Sequence, residues 1–203
     1  MSAINTKEQK QLSVSIAALE VIEAEGLGGV TYSKVARKAK VSRAWIYEYI
    51  GNEKSALIEF AADELASHFA RAKMTEIPTT RAELERLAED GTDFLFSSVE
   101  LNPVIIRLYF RFRGTKNAIG DVILKHEKQW LSKSTKILVE VLGLPKEQAA
   151  LLTEFILTLR MGFAHRVATS KNTDEVRARA KQTFQFLFSR VSGLTEPGKD
   201  GAH

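Results

Sequence analysis

The side chains of this chain that could do chemistry do not form a catalytic pattern. The chain has no cysteine, so it has no thiol nucleophile and no cysteine-ligated metal site. Its four histidines show no metal-ligand spacing, and its carboxylates are scattered singly. Gly26, Gly28 and Gly29 follow a predicted helix rather than a strand, so they do not predict a nucleotide loop. We therefore expect no enzyme activity, no metal site and no cofactor.

The chemistry that the sequence does offer is phosphate binding. From Gly26 to Tyr47 there is no acidic residue. The segment contains the cations Lys34, Arg37, Lys38, Lys40 and Arg43. A second acid-free stretch, 101–120, carries Arg107, Arg111, Arg113 and Lys116 and could attract an anionic ligand or form a solvated face. The formal net charge of +4 permits nucleic-acid binding without requiring it.

The first basic segment predicts two short helices joined by a tight turn. Thr31 can cap one helix, and Ser42 can cap a second that runs to about Tyr49. In a helix-turn-helix the second helix reads base edges in the major groove, and nearby hydroxyls and cations bind phosphate. The predicted DNA contacts are Thr31, Tyr32, Ser33, Lys34, Ser42, Arg43, Ala44, Trp45, Tyr47, Tyr49 and Lys54.

Over about Val14 to Leu57 the sequence resembles the tetracycline-repressor (TetR) family of transcriptional regulators. The matching positions are Ala18, Gly26, Thr31, Val35-Ala36, Ala39, Val41-Ser42 and Ile46-Tyr47-x-Tyr49. The resemblance implies a homodimer that binds a palindromic operator in double-stranded DNA. It also implies that the operator is released when a small molecule enters the C-terminal domain. Beyond the motif, the resemblance covers only length and helical pattern.

Four positions depart from the family pattern. Lys40 occupies the usual turn glycine, Trp45 replaces a small residue or threonine, and Ile50 replaces the frequent phenylalanine. The expected basic residue arrives one position late, as Lys54. Either the linker is one residue longer, or Lys54 does not make the usual phosphate contact.

Helical periodicity predicts an all-α protein of about nine helices. All eleven phenylalanines come after residue 59, so the bulky apolar side chains lie in the C-terminal part. We predict a DNA-binding helix-turn-helix domain at 1–52, a helical ligand-sensing and dimerisation domain at 53–194, and a disordered tail at 195–203. The last two long helices carry more apolar residues than one buried face needs, which favours a homodimer through them. The polar N-terminus and the lack of a long apolar stretch predict a cytoplasmic protein without membrane association.

The sequence also suggests a ligand pocket in the helical body. The predicted lining residues are Phe94, Phe110, His126, Trp130, Phe155 and Phe163. His126 is either a satisfied buried histidine or a polar group in an apolar pocket. Arg160 could pair with an acid, cross the dimer interface or contact the ligand. The alternative function is a DNA-binding regulator without a small-molecule ligand, controlled by concentration or a protein partner; a solidly packed body would favour it.

Overall fold

The structure is a computed structural model that describes residues 6–70 and 77–192. Within these ranges the chain forms nine α-helices and no strand, which confirms the predicted all-α class. The helices are α1 (Lys7–Glu25), α2 (Tyr32–Ala39), α3 (Arg43–Tyr49), α4 (Lys54–Ala70), α5 (Arg81–Leu101), α6 (Val104–Phe112), α7 (Ala118–Leu142), α8 (Lys146–Thr169) and α9 (Thr173–Ser192). None of these helices is long and apolar enough to cross a membrane. The predicted tail at 195–203 lies outside the described residues.

Local polar contacts determine where several helices begin. Thr80 and Glu83 form a capping box, in which each side chain accepts a hydrogen bond from the backbone N–H of the other residue. The Asn172 side chain accepts from the Glu175 N–H at 3.3 Å at the start of α9. Because these bonds join residues three positions apart, the sequence alone predicts both helix starts.

The first of two compact units comprises Met1–Ala70 and Val104–Glu127. Helix α1 lies at its centre and packs against α2, α4 and α6, while α2 packs against α3. The stripe predicted along α4 is buried in this unit. Its members are Leu57, Ala61, Leu65 and Phe69, of which Phe69 is the most exposed at 5%.

The second unit comprises Arg71–Pro103 and Lys128–His203. In its described part α5, α8 and α9 pack against one another. One apolar cluster joins residues from α5, the end of α7, the start of α8 and the end of α9. It consists of Leu84, Ile137, Leu138, Leu144, Ala149 and Val191.

The two units divide the chain differently from the predicted boundary at residue 52. Helices α4 and α6 and residues 118–127 of α7 pack with the helix-turn-helix rather than with the other body helices. The predicted boundary concerns where DNA binding ends, and it stays a prediction. Helices α4 and α6 therefore belong to the same compact unit as α2 and α3.

Candidate DNA interface and ligand site

The two predicted caps of the helix-turn-helix are present. The Thr31 hydroxyl accepts a hydrogen bond from the Lys34 N–H at 3.3 Å, and the Ser42 hydroxyl accepts from the Trp45 N–H at 3.1 Å. Both residues are exposed. A hydroxyl that accepts at a cap still has its own proton to donate. Capping and phosphate binding are therefore compatible at both positions.

The turn between α2 and α3 accepts a side chain at the usual glycine position. Lys40 has φ 56° and ψ 39°, in the left-handed region, and its N–H points to the carbonyls of Ala36 and Arg37. The Val41 N–H donates to the Ala36 carbonyl at 3.0 Å. These bonds close α2 as a glycine would, and they leave the Lys40 side chain exposed.

Tyr32 and Tyr47 face different surroundings although their rings touch. Their centroids are 4.7 Å apart with an edge-to-face angle of 63°. The Tyr32 hydroxyl lies 2.9 Å from the Gly51 carbonyl and 2.7 Å from that of Glu53, and burial raises its pKa. Its proton is thus directed at the connection between α3 and α4, whereas Tyr47 is 44% exposed. Tyr47 is the better placed of the two for phosphate, since Tyr32 would have to give up these bonds.

Two lysines of α1 lie beside the aromatic side chains of α3, and sequence reasoning missed them. The rings of Trp45 and Tyr49 lie 4.9 Å apart. The Lys7 ammonium lies 4.7 Å from the Tyr49 ring and that of Lys10 lies 6.0 Å from the Trp45 ring. Both lysines precede the family motif, so only their place at the start of α1 could have indicated this role.

The predicted cations differ in how they are engaged. Lys34 pairs with Glu25 of α1, and Arg43 lies 3.5 Å from the Ser33 hydroxyl. Lys54 donates to the Gly28 carbonyl at 3.0 Å and remains exposed. Since an ammonium has three protons, this bond ties Lys54 to the turn before α2 and leaves others for phosphate.

Two of the four cations of the second basic stretch pair with carboxylates of the first unit. Arg107 forms a two-point ion pair with the Glu23 carboxylate, and Arg111 donates to the Glu23 carbonyl at 3.0 Å. Arg113 donates to the buried Glu127 carboxylate at 2.8 Å. These contacts join α6 and the residue after it to α1 and α7, so Arg107, Arg111 and Arg113 contribute to packing within the first unit.

Buried Tyr109 completes that arrangement. Its hydroxyl donates to the same carboxylate oxygen of Glu127. Burial and this bond raise the pKa of Tyr109. The hydroxyl therefore stays protonated, as a donor to a buried carboxylate must.

The six predicted ligand contacts fall into both units. Phe110 and His126 belong to the first unit, where His126 Nε2 lies 3.1 Å from an Asp63 carboxylate oxygen and Phe110 is 49% exposed. The other four belong to the second unit. These are Phe94, Trp130, Phe155 and Phe163. Phe155 is 49% exposed on α8, and Phe163 is buried.

The second unit has a cavity of about 300 Å³ between α5 and α9. None of the six predicted ligand contacts lines it. Its lining residues are Arg81, Glu85, Ala88, Glu89, Thr92, Asp93, Phe96, Arg177, Lys181, Phe184, Gln185, Phe188 and Ser189. The cavity depends on how two helices far apart in sequence pack, which local patterns do not reveal.

Arg160 is buried in the second unit without an ion-pair partner among the described residues. Its Nη2 donates to the Gly91 carbonyl at 2.6 Å, its Nε has no hydrogen-bond partner, and its guanidinium carbon lies 5.5 Å from the Trp130 ring. Burial lowers its pKa to about 10. Of the three roles considered for Arg160, pairing with an acid of its own chain is not seen in the described residues.

Comparison with known proteins supports the fold. No family model and no curated protein matches the sequence. A TetR-like transcriptional regulator from Rhodococcus sp. RHA1 is similar at 16% identity and TM-score 0.59, over 95% of this chain and 99% of its own. FadR from Bacillus subtilis, solved with stearoyl-CoA, is similar at 19% identity and TM-score 0.61, over 88% of this chain and 97% of its own.

A fatty acid degradation regulator, FadR from Bacillus halodurans, is similar at 17% identity and TM-score 0.59, over 85% of this chain and 96% of its own. All three likenesses extend beyond Val14–Leu57 to most of the chain, which the motif alone could not establish. The chain therefore has the fold of the TetR-family transcriptional regulators, as its N-terminal motif predicted.

Proposed function

We propose that the chain is a transcriptional repressor that binds a palindromic operator as a homodimer and releases it when a small molecule binds. The observation that carries this proposal is the exposed surface of α2 and α3. Capped helix starts at Thr31 and Ser42 lie beside Arg43, Tyr47 and the α1 lysines. Such a surface offers hydroxyls and cations for phosphate, and the first turn of α3 for base edges.

Two substitutions separate the roles within α3. Tyr47→Phe should weaken binding to all DNA sequences by a similar factor, because a phosphate contact carries no base information. Arg43→Ala should also change base preference, by about 1–3 kcal/mol for a lost base contact. Arg179→Ala is the control, since Arg179 is an exposed arginine of α9 and its loss changes the net charge equally.

The measurement is fluorescence anisotropy with an operator identified by genomic footprinting, titrated at several salt concentrations. Loss of a cationic phosphate contact in Arg43→Ala should make the negative slope of log affinity against log salt shallower by about 0.9, whereas Tyr47→Phe removes no charge and should leave that slope unchanged. If both α3 variants bind like the Arg179→Ala control, α3 is not the recognition helix.

Homodimerisation is supported by apolar side chains left exposed on α8 and α9. Leu151 is 68% exposed, Phe155 49% and Phe186 61%. Leu151 and Phe155 share one face of α8 with exposed Thr158 and Gly162, whose small size permits close helix approach. We propose that a second copy covers this face in a four-helix interface.

Leu151→Glu places a charge on the proposed interface. Light scattering at micromolar concentration should give a dimer for the natural sequence and a monomer for this variant. Leu124→Glu, at a leucine 44% exposed on α7, should leave the dimer mass unchanged. A monomer mass for the natural sequence would refute the interface.

The cavity between α5 and α9 favours ligand control over the alternative of a regulator without a ligand. A ligand can shift DNA binding only by binding the two states with different affinities. Linkage then requires operator DNA to weaken ligand binding by the same factor, with typical couplings of about 1–3 kcal/mol. Calorimetric titrations with and without operator test this coupling. Equal ligand affinities in both titrations would favour control by concentration or by a protein partner.

A further inference from the structure

The cavity between α5 and α9 has an apolar floor of aromatic side chains. Phe96, Phe184 and Phe188 line it together with Ala88. Its volume of about 300 Å³ is near the lower limit for small-molecule sites. The cavity therefore suits a compact ligand with an apolar body.

The mouth of the cavity has one acidic wall and one basic wall. Helix α5 presents Glu89 and Asp93, and α9 presents Arg177 and Lys181, each pair four residues apart. The Lys181 ammonium lies 3.8 Å from Glu89, and the Arg177 guanidinium lies 3.9 Å from Asp93. These distances bring opposite charges together across the mouth but are too long for hydrogen bonds.

Shorter bonds hold the frame around these two pairs. Arg177 donates to Glu100 at 2.8 Å through its other terminal nitrogen. Arg81 donates to Glu85 at 2.7 Å and to the Phe188 carbonyl at 2.7 Å. The frame thus fixes the distance between α5 and α9 while the two pairs across the mouth keep unused donors and acceptors.

We propose that this cavity binds a small zwitterion with an apolar side chain, of the class of the apolar α-amino acids. The ligand carboxylate would accept from Lys181 and Arg177, its ammonium would donate to Glu89 and Asp93, and its side chain would cover the aromatic floor. This assignment deepens the proposed function, on which it rests, by naming the class of effector.

The charge balance of the mouth selects against ligands with one charge. A ligand that enters must separate the two pairs that span the opening. A carboxylate alone engages the basic wall and leaves the carboxylates of α5 unpaired. An ammonium alone leaves the cations of α9 unpaired, and a neutral molecule replaces neither partner. A zwitterion replaces both, and it converts long ion contacts into charge-assisted hydrogen bonds.

Isothermal titration calorimetry with four probes that share one phenyl body tests the assignment. The probes are L-phenylalanine, 3-phenylpropionate, phenethylamine and 3-phenylpropanol, each titrated into the full-length protein. We expect L-phenylalanine to bind at least about tenfold more tightly than each of the others. Equal affinities for all four probes, or no binding of L-phenylalanine at millimolar concentration, would overturn the proposal.

Two charge-neutralising variants at exposed positions assign the walls without disturbing the core. Lys181→Gln should weaken binding of L-phenylalanine and 3-phenylpropionate, and it should not weaken phenethylamine, because it removes a cation that phenethylamine would leave unpaired. Glu89→Gln should weaken binding of L-phenylalanine and phenethylamine, and for the corresponding reason it should not weaken 3-phenylpropionate. Lys136→Gln, at an exposed lysine of α7, should change none of them. Loss of affinity for all probes in one variant, or for none in both, would contradict the two-wall arrangement.

The outcome is separable from that of the proposed function. If the protein binds DNA as a dimer but none of the probes, only the zwitterion site fails. If L-phenylalanine binds selectively while the protein does not bind DNA, the regulator proposal fails and the site stands. Operator anisotropy with added L-phenylalanine then shows whether the site controls DNA binding.

Discussion

Replacing Lys40 by glycine should stabilise the helix-turn-helix and separate the backbone role of this turn from its charge. Lys40 adopts φ 56°, where an L-residue has its Cβ too close to the following carbonyl. That conformation costs about 1–2 kcal/mol for a residue with a side chain. Because the Lys40 side chain is exposed, its removal costs no packing.

The stability gained by relieving the left-handed conformation is partly offset by an effect on the unfolded chain. Glycine has more backbone freedom to lose on folding, which costs about 0.4–1 kcal/mol. The net expectation for Lys40→Gly is an increase of about 0.5–1 kcal/mol in the free energy of unfolding. For a chain of this length that corresponds to a rise in Tm of about 2–4 °C for each kcal/mol.

Urea unfolding followed by tryptophan fluorescence measures the change in the free energy of unfolding in the unit that contains Lys40. The chain has two tryptophans, Trp45 in the first unit and Trp130 in the second, so a Trp130→Phe background makes Trp45 the reporter. Lys40→Ala is the matched control, since it removes the charge but keeps the Cβ. Lys40→Ala should not stabilise the fold, and equal stabilisation by both variants would refute the argument from the left-handed conformation.

Two further substitutions test buried polar groups. Glu127→Ala leaves the buried Tyr109 hydroxyl without its acceptor and should lower the free energy of unfolding by about 1–3 kcal/mol. Glu127→Gln keeps an acceptor oxygen and should lower it less. Equal losses for the two variants in urea unfolding would contradict this account. Arg160→Met removes a guanidinium whose lowered pKa of about 10 reflects desolvation of its charge. A buried charge without an ion-pair partner is costly, so Arg160→Met should leave the free energy of unfolding unchanged or raise it. A loss of more than about 3 kcal/mol in that free energy would mean that an acidic partner for Arg160 exists.

The sequence predicted those features that depend on residues close together along the chain. Thr31 and Ser42 were recognised as caps because each bonds to an N–H three residues ahead. Lys40 was placed at the usual turn-glycine position because its flanking residues match a motif. The all-helical class followed from periodicity for the same reason, since 3.6-residue spacing is local.

The cavity between α5 and α9 could not be predicted in this way. Phe96 and Phe184 line one cavity only because α5 packs beside α9, and no local pattern encodes that packing. Aromatic residues on apolar stripes, such as Phe110 and Phe155, looked similar from the sequence but are half exposed in the structure. Periodicity identifies a buried face, whereas a cavity depends on the mismatch between two such faces.

The positive charge of the α2 and α3 surface depends on ion pairs with α1 and not only on the number of basic residues. Glu20 of α1 pairs with Lys38 at 2.9 Å, and Glu25 pairs with Lys34. Among the described residues of the basic segment, these pairs leave Arg37, Lys40 and Arg43 without an acidic partner.

Counterion release counts the phosphates that a protein neutralises, so cations already paired with carboxylates should contribute less to the salt dependence of binding. The pairs with α1 carboxylates leave the unpaired cations at the end of α2, at the turn and at the start of α3. In the helix-turn-helix docking geometry that end of the second helix approaches the base edges and the flanking phosphates. Exposed carboxylates of α1 therefore determine which cations of α2 and α3 remain without an acidic partner.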